Sequence, residues 1–254
     1  MLADWITAEV PERTRAALRL LECMTVRPLA LDTSFVNELK QTGLDELAMR
    51  EVANIGFHYN LINRVADAFD FPVPQGKQKA RLAKALNTAG KRLKGIAAET
   101  VWVRAEDGRI RPTEVEHGRE RLFSAAGKTD PALRYAIEAF VLAQWGYVRD
   151  GSWKADPLSI PSELQPYLKK LALYAYRITD KEINALRAVG YTDETIYEIT
   201  IVGSFAAALV GLEQLFAALY DDELEETVVS LSSTSLVPEL VEGTSDRAMV
   251  KEGR

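Results

Sequence analysis

A carboxylate and an imidazole are the groups in this chain best suited to chemistry. Glu51 and His58 stand seven residues apart. On a helix that is almost two full turns, so the pair shares a face to within about 20°. Ile55, Ile62 and Phe69 fall on the same face, and the spacing therefore predicts that the pair points toward the core. A carboxylate buried beside an imidazole could relay a proton, with burial raising the glutamate pKa. The same spacing fits a core histidine with Glu51 bonded to a neighbouring helix, since structural networks perturb such groups as well. Tyr59, Asn60, Asn63 and Arg64 make the surrounding stretch unusually polar. They could line a pocket that hydrogen-bonds a carboxylate or carbonyl, or bridge to a second subunit. The candidate catalytic residues are thus Glu51, His58 and Asn63. The candidate substrate-binding residues are Tyr59, Arg64 and Glu198.

Other motifs carry less. Glu114 and His117 have the Glu-x-x-His spacing of di-iron bundles, but such a site needs two copies and further carboxylates. With two histidines and one cysteine in the chain, no metal site and no cofactor are expected. The lone Cys23 excludes an internal disulfide framework and suits a reducing, cytoplasmic compartment. Lys77, Lys79, Arg81, Lys84, Lys91, Arg92 and Lys94 form a basic run without an intervening acid. It reads as a solvated helix face, because the aromatic interleaving of a nucleic-acid surface is missing. The net charge of −6 also opposes general polyanion binding. No nucleic-acid partner is expected.

The elements that must position these residues read as helices. Caps and stops bound segments near 11–24, 34–43, 45–69, 75–95, 112–127, 130–148 and 163–176. Only Thr100 to Arg111 has strand character, with Asp107-Gly108 as its turn. The apolar stretch Ile196 to Leu219 is long enough to span a bilayer. Its Glu198, Glu213 and Gln214 make a buried core helix the better reading, so no membrane partner is expected. The N-terminus has no basic region followed by an apolar run, so it does not read as a signal peptide.

The helical pattern occurs twice. Val36 to Phe69 matches Ile183 to Phe216 without a gap, at a constant spacing of 147 residues. Asn37/Asn184, Leu39/Leu186, Gly43/Gly190, Glu51/Glu198, Gly56/Gly203 and Phe69/Phe216 are identical pairs. The pairs Val36/Ile183, Val52/Ile199, Ile55/Val202, Ile62/Leu209 and Val65/Leu212 keep the apolar register. The expected fold is all-α, a bundle of two degenerate tandem repeats. Its expected parts are a first half at 1–110, a second at 111–222, and a flexible acidic, Ser/Thr-rich tail at 223–254.

A short helix, a glycine, an acidic cap and a long apolar helix carrying a Glu resemble the carboxymuconolactone decarboxylase family, which includes the alkylhydroperoxidase AhpD. The resemblance implies an AhpD-like helical bundle. Reactive members follow the Glu after twelve residues with a Cys-x-x-Cys pair and then a His. Here Asn63, Ala66 and Asp70 occupy those positions in the first copy, and Val210, Glu213 and Ala217 in the second. A peroxidase cycle needs one thiolate to attack and a second thiol to resolve the sulfenic acid. Thiol peroxidase activity is therefore not expected. What the resemblance leaves open is a dithiol-free enzyme acting on a small organic acid or lactone-like substrate, or a non-catalytic scaffold or ligand-binding protein. Ala206, Ala207, Ala208 and Gly211 give the second long helix a smooth small-residue surface, expected to join a homo-oligomer, with a dimer favoured, as the resemblance also implies, or else to be covered by the first repeat's own long helix inside one chain.

Overall fold

The structure, a computed structural model, describes residues 6–72, 74–93, 101–105, 108–147 and 159–220. The described residues up to Leu219 form one compact unit. The expected flexible tail from 223 and the turn residue Asp107 lie outside the described residues. Within that unit the chain is almost wholly helical. The helices are α1 (Glu12–Val26), α2 (Thr33–Gln41), α3 (Glu46–Ala68), α4 (Gly76–Leu93), α5 (Thr113–Ser124), α6 (Pro131–Gln144), α7 (Gln165–Tyr174), α8 (Asp180–Ala188) and α9 (Asp193–Tyr220). Strands β1 (Trp102–Arg104) and β2 (Ile110–Pro112) pair antiparallel, with Val103 opposite Arg111.

Local chemistry explains the boundaries. Asp32, Asp45 and Asp130 cap α2, α3 and α6, each carboxylate accepting a backbone N–H of the first turn. Thr179 and Glu182 form a reciprocal capping box on α8. Gly43 ends α2 at φ +82°, and Gly190 ends α8 at φ +102°. That left-handed turn is one that glycine alone enters without a Cβ penalty.

The spacing of 147 reaches further back than the sequence pattern suggests. Alpha-2 and α8 begin at 33 and 180, α3 and α9 at 46 and 193, and the 3-10 turns before them span Pro28–Ala30 and Ala175–Arg177. The closing bond Leu44 N–H to Leu39 C=O is matched by Tyr191 N–H to Leu186 C=O. Packing keeps the register too. A Cβ on Gly56 would meet Leu21 Cδ2 at 2.8 Å and Met24 Cε at 3.3 Å, whereas one on Gly203 would meet Leu171 Cδ2 at 2.8 Å and Leu168 Cδ2 at 3.3 Å. Leu21 and Leu168, and Met24 and Leu171, are 147 apart. Contacts between the two segments are reciprocal. Arg64 reaches the carbonyl of Ala172, and Gly211, at the position matching Arg64, lies against the backbone of Met24. Phe57 meets Phe205 edge-on at 5.1 Å where the two long helices approach.

Alpha-9 is the core. It is apolar all round and long enough to cross a membrane, but 89% of its most apolar window is buried inside the protein. Ala206, Ala207, Ala208 and Gly211, expected to meet a second subunit, are buried within this one. The end of α1 approaches closely at Gly211.

The buried charged side chains among the described residues are paired. Arg111 is fully buried and donates from Nε and Nη2 to Glu213 Oε1 and from Nη1 to Glu116 Oε2, while Tyr147 Oη donates to Glu213 Oε2. This cluster ties β2 to α5 and α9. A bidentate Arg119–Glu138 pair, at 3.0 and 2.9 Å, joins α5 to α6. Burial pushes the Tyr167 hydroxyl up to about 12, against the lowering effect of its 2.5 Å hydrogen bond with Thr200.

Candidate functional site

The first candidate cluster lies on the surface of α3. His58, Tyr59 and Asn63 are exposed, with Tyr59 at 64%, and Glu51 is half-buried. Ile55 and Ile62, expected to mark the core face, are 51% and 59% exposed. The expectation that Glu51 and His58 point inward is thereby corrected. Alpha-3 packs through Ala53, Gly56, Phe57 and Asn60 instead. Its small residues let α1 approach closely, and this decides which face is buried. His58 Nδ1 lies 2.9 Å from its own helix carbonyl, Asn54 O. Arg64 bonds Asn60 O and reaches Ala172 O, so it fastens two helices together. Burial lowers the Arg64 guanidinium to about 10, with Asp67 opposing, and it stays charged at neutral pH. Glu114 accepts from Asn54 Nδ2 at 2.8 Å and His117 is exposed. No cluster of three metal-binding side chains occurs among the described residues.

Glu198, on the opposite helix, has a different environment. Its Oε2 accepts the Lys128 N–H at 2.5 Å, and its Oε1 accepts the Thr129 hydroxyl at 2.7 Å and faces Arg134 Nε at 2.8 Å. The loop reaches the carboxylate because Gly127 leaves room. A Cβ there would come within 2.5 Å of both Glu198 Oε1 and Arg134 Nη2. Arg134 is buried and also donates to the carbonyls of Leu122 and Ala125, which close the end of α5. Burial raises the Glu198 carboxyl, but the donors from Thr129, Lys128 and Arg134 prevail and hold it below the ordinary glutamate value. With its oxygens so occupied, Glu198 is suited to holding the 127–130 loop and poorly suited to accepting a substrate proton. Glu51, at the matching position, has no such cradle.

Glu198 also lines an open cleft of about 760 Å³ between the end of α3, α5 and the first turns of α8 and α9. Three rings run along one wall. Phe69 and Phe71 stack at 6.2 Å, and Phe69 and Tyr197 lie 5.6 Å apart at 32°. The turn at Asp70, with φ +46°, lets Phe69 and Phe71 face the same side. A left-handed aspartate just beyond a helix end is tolerated because its short polar side chain suits that turn. Leu122, Ile183, Ile196 and Ile201 complete the apolar lining. The charges at the rim are compensated nearby. Arg187 Nε donates to Asp193 at 2.7 Å, and the helix-end N–H and the Thr192 hydroxyl lower the Glu194 carboxyl, with Lys128 adding a smaller effect. Of the sequence-derived candidates, Glu198 alone lines this cleft. Comparison of the chain with protein-family models, with curated proteins and with solved structures finds no match.

Proposed function

We propose that the chain is a non-catalytic helical protein that holds a small, uncharged, largely apolar molecule in the cleft beside Tyr197. The observation that carries this reading is the aromatic wall Phe71–Phe69–Tyr197, whose outer rings are more than half exposed. Exposed rings flanking a concavity of this size suit a planar ligand. Arg187 at the rim is paired with Asp193, which favours a neutral guest, such as the lactone-like substrate the resemblance leaves open, over an organic acid. Catalysis is the weaker reading, because Glu51, His58 and Asn63 face solvent and the one carboxylate at the cleft is already saturated. The fold under this proposal is a degenerate AhpD-like pair of repeats. The exact recurrence of caps, left-handed glycines and α1/α7 packing at a spacing of 147 supports it, and the absent dithiol fits a loss of thiol chemistry.

Fluorescence of the neutral probe N-phenyl-1-naphthylamine tests the ligand. Its emission should rise on binding, and Tyr197→Ala should weaken binding about three- to tenfold, the worth of one aromatic pair. A protein that leaves the probe dark, or binds it equally well with both Tyr197→Ala and Phe71→Ala, would remove the basis for the reading.

A further inference from the structure

Alpha-4 is a helix whose amphipathic character has no use within the described protein. All of its described residues from Gly76 to Ala85 are exposed, Leu82 at 47%. Lys77, Lys79, Arg81 and Lys84 lie within the first three turns, and the sequence from 76 to 94 contains no acid. Leu82 lies on the side of the helix away from Lys84, and the sequence repeats apolar residues at helical spacing from it, at Leu86, Ala89 and Leu93. Gly76, at φ +50°, and the prolines Pro72 and Pro74 set the helix off from α3.

We propose that α4 is a docking element for an anionic lipid surface, lying in the plane of the interface with Leu82 and its stripe against the acyl boundary and the lysines among the headgroups. Charge complementarity selects the anionic partner, and the stripe selects a bilayer over a nucleic acid. A polyanion in water rewards the lysines and offers nothing to leucines, and aromatic side chains for stacking on bases are missing. The acidic balance of the whole chain does not oppose this. Charges more than about 8 Å from the surface are screened at physiological salt, so the helix acts through its own charge. The docking is peripheral and leaves α9 inside the protein.

Flotation of the full-length protein with vesicles tests the proposal, using phosphatidylcholine alone and phosphatidylcholine with phosphatidylglycerol. Binding is expected only to the anionic vesicles, and it should fall steeply between 50 and 300 mM salt. Each cation near such a surface raises the partition about fivefold, so replacing Lys77, Lys79, Arg81 and Lys84 together by Gln should cost about a hundredfold or more. Leu82→Asp should abolish flotation as well. Both variants replace exposed side chains, and an unchanged thermal melt confirms that they fold. No flotation, equal binding to neutral vesicles, or binding indifferent to Leu82→Asp would overturn the proposal. Tighter binding to duplex RNA or DNA than to the anionic vesicles would do so too.

Discussion

Gly211→Ala should be among the more damaging single-methyl changes in this protein. A Cβ at 211 would lie 2.7 Å from the Met24 carbonyl oxygen, 3.0 Å from Met24 Cβ and 3.1 Å from Met24 Cα. Comfortable contact is about 3.5 Å or more, so the last turn of α1 would have to retreat by nearly 1 Å. That obstacle is backbone, which cannot step aside by changing rotamer. Overpacking of this kind costs about 1–3 kcal/mol or more, and the better helix propensity of alanine returns about 1 kcal/mol. With backbone as the obstacle the upper end of that cost applies, so the net is about 2 kcal/mol of destabilisation, or about 4–8 °C in Tm for a chain of this size. Gly203→Ala provides the intermediate case. It meets side-chain atoms of Leu171 and Leu168, both fully buried, and should cost about 1 kcal/mol net. Gly56→Ala occupies the same register in α3, but it meets the partly exposed Leu21 and the adaptable end of Met24. It should be close to neutral. Urea unfolding followed by circular dichroism at 222 nm, with unchanged m-values, gives the three numbers. A Gly211→Ala protein as stable as wild type, or a Gly56→Ala protein less stable than Gly203→Ala, would refute the packing argument.

Four further outcomes are expected. Glu198→Ala leaves the buried Arg134 guanidinium without its carboxylate and should cost about 3–5 kcal/mol at neutral pH. Because the Glu198 carboxyl is depressed in the folded protein, the stability it gives is present above the ordinary glutamate value and lost as pH falls through its folded value. The gap between wild type and Glu198→Gln should therefore close on acidification, and a gap that widens would reverse the sign. Glu182 is held down to about 2, first by the Lys170 ammonium and then by Thr179, so its carboxyl NMR signal should titrate near there and not above 4. Cys23 is buried and burial raises its thiol, so Ellman's reagent should modify it only after denaturation, and Cys23→Ser should leave any hydroperoxide turnover unaltered. Subunits that associate have the row Ile55, Tyr59 and Ile62 on α3 available to them, so light scattering should give twice 28.2 kDa for wild type and the single mass for Tyr59→Glu.

Much of the local architecture was readable from residue types. Asp32, Asp45 and Asp130 announce helix starts, Gly43 and Gly190 announce ends, and the structure puts caps and left-handed turns at those residues. Which face of α3 turns inward was not readable in the same way. Large side chains at 55 and 62 suggested one face, yet the buried face is built around Ala53 and Gly56, whose smallness admits a neighbouring helix. Period gives the width of an apolar stripe, whereas the direction of burial depends on what approaches it. The earlier part of the recurrence escaped notice because it conserves contacts and few letters. Met24 and Leu171 fill the same place against a glycine without being the same residue. Glu198 was singled out for its position, but the 127–130 loop that occupies it comes from a segment with no helical period to announce it.

The seat of Gly211 on Met24 joins the first helix of the chain to its last described one. During synthesis from the N-terminus, α1 and α3 emerge long before the helix that completes their packing. Until α9 arrives, Met24 and Phe57 lack part of their burial, and the nascent chain presents sticky surface to its surroundings. Native closure thus waits until α9 has emerged, and the step that completes it joins Met24 to Gly211, with most of the described chain between them. A contact of such long range makes for slow folding, and a chaperone that shields apolar surface would have its greatest effect in that interval.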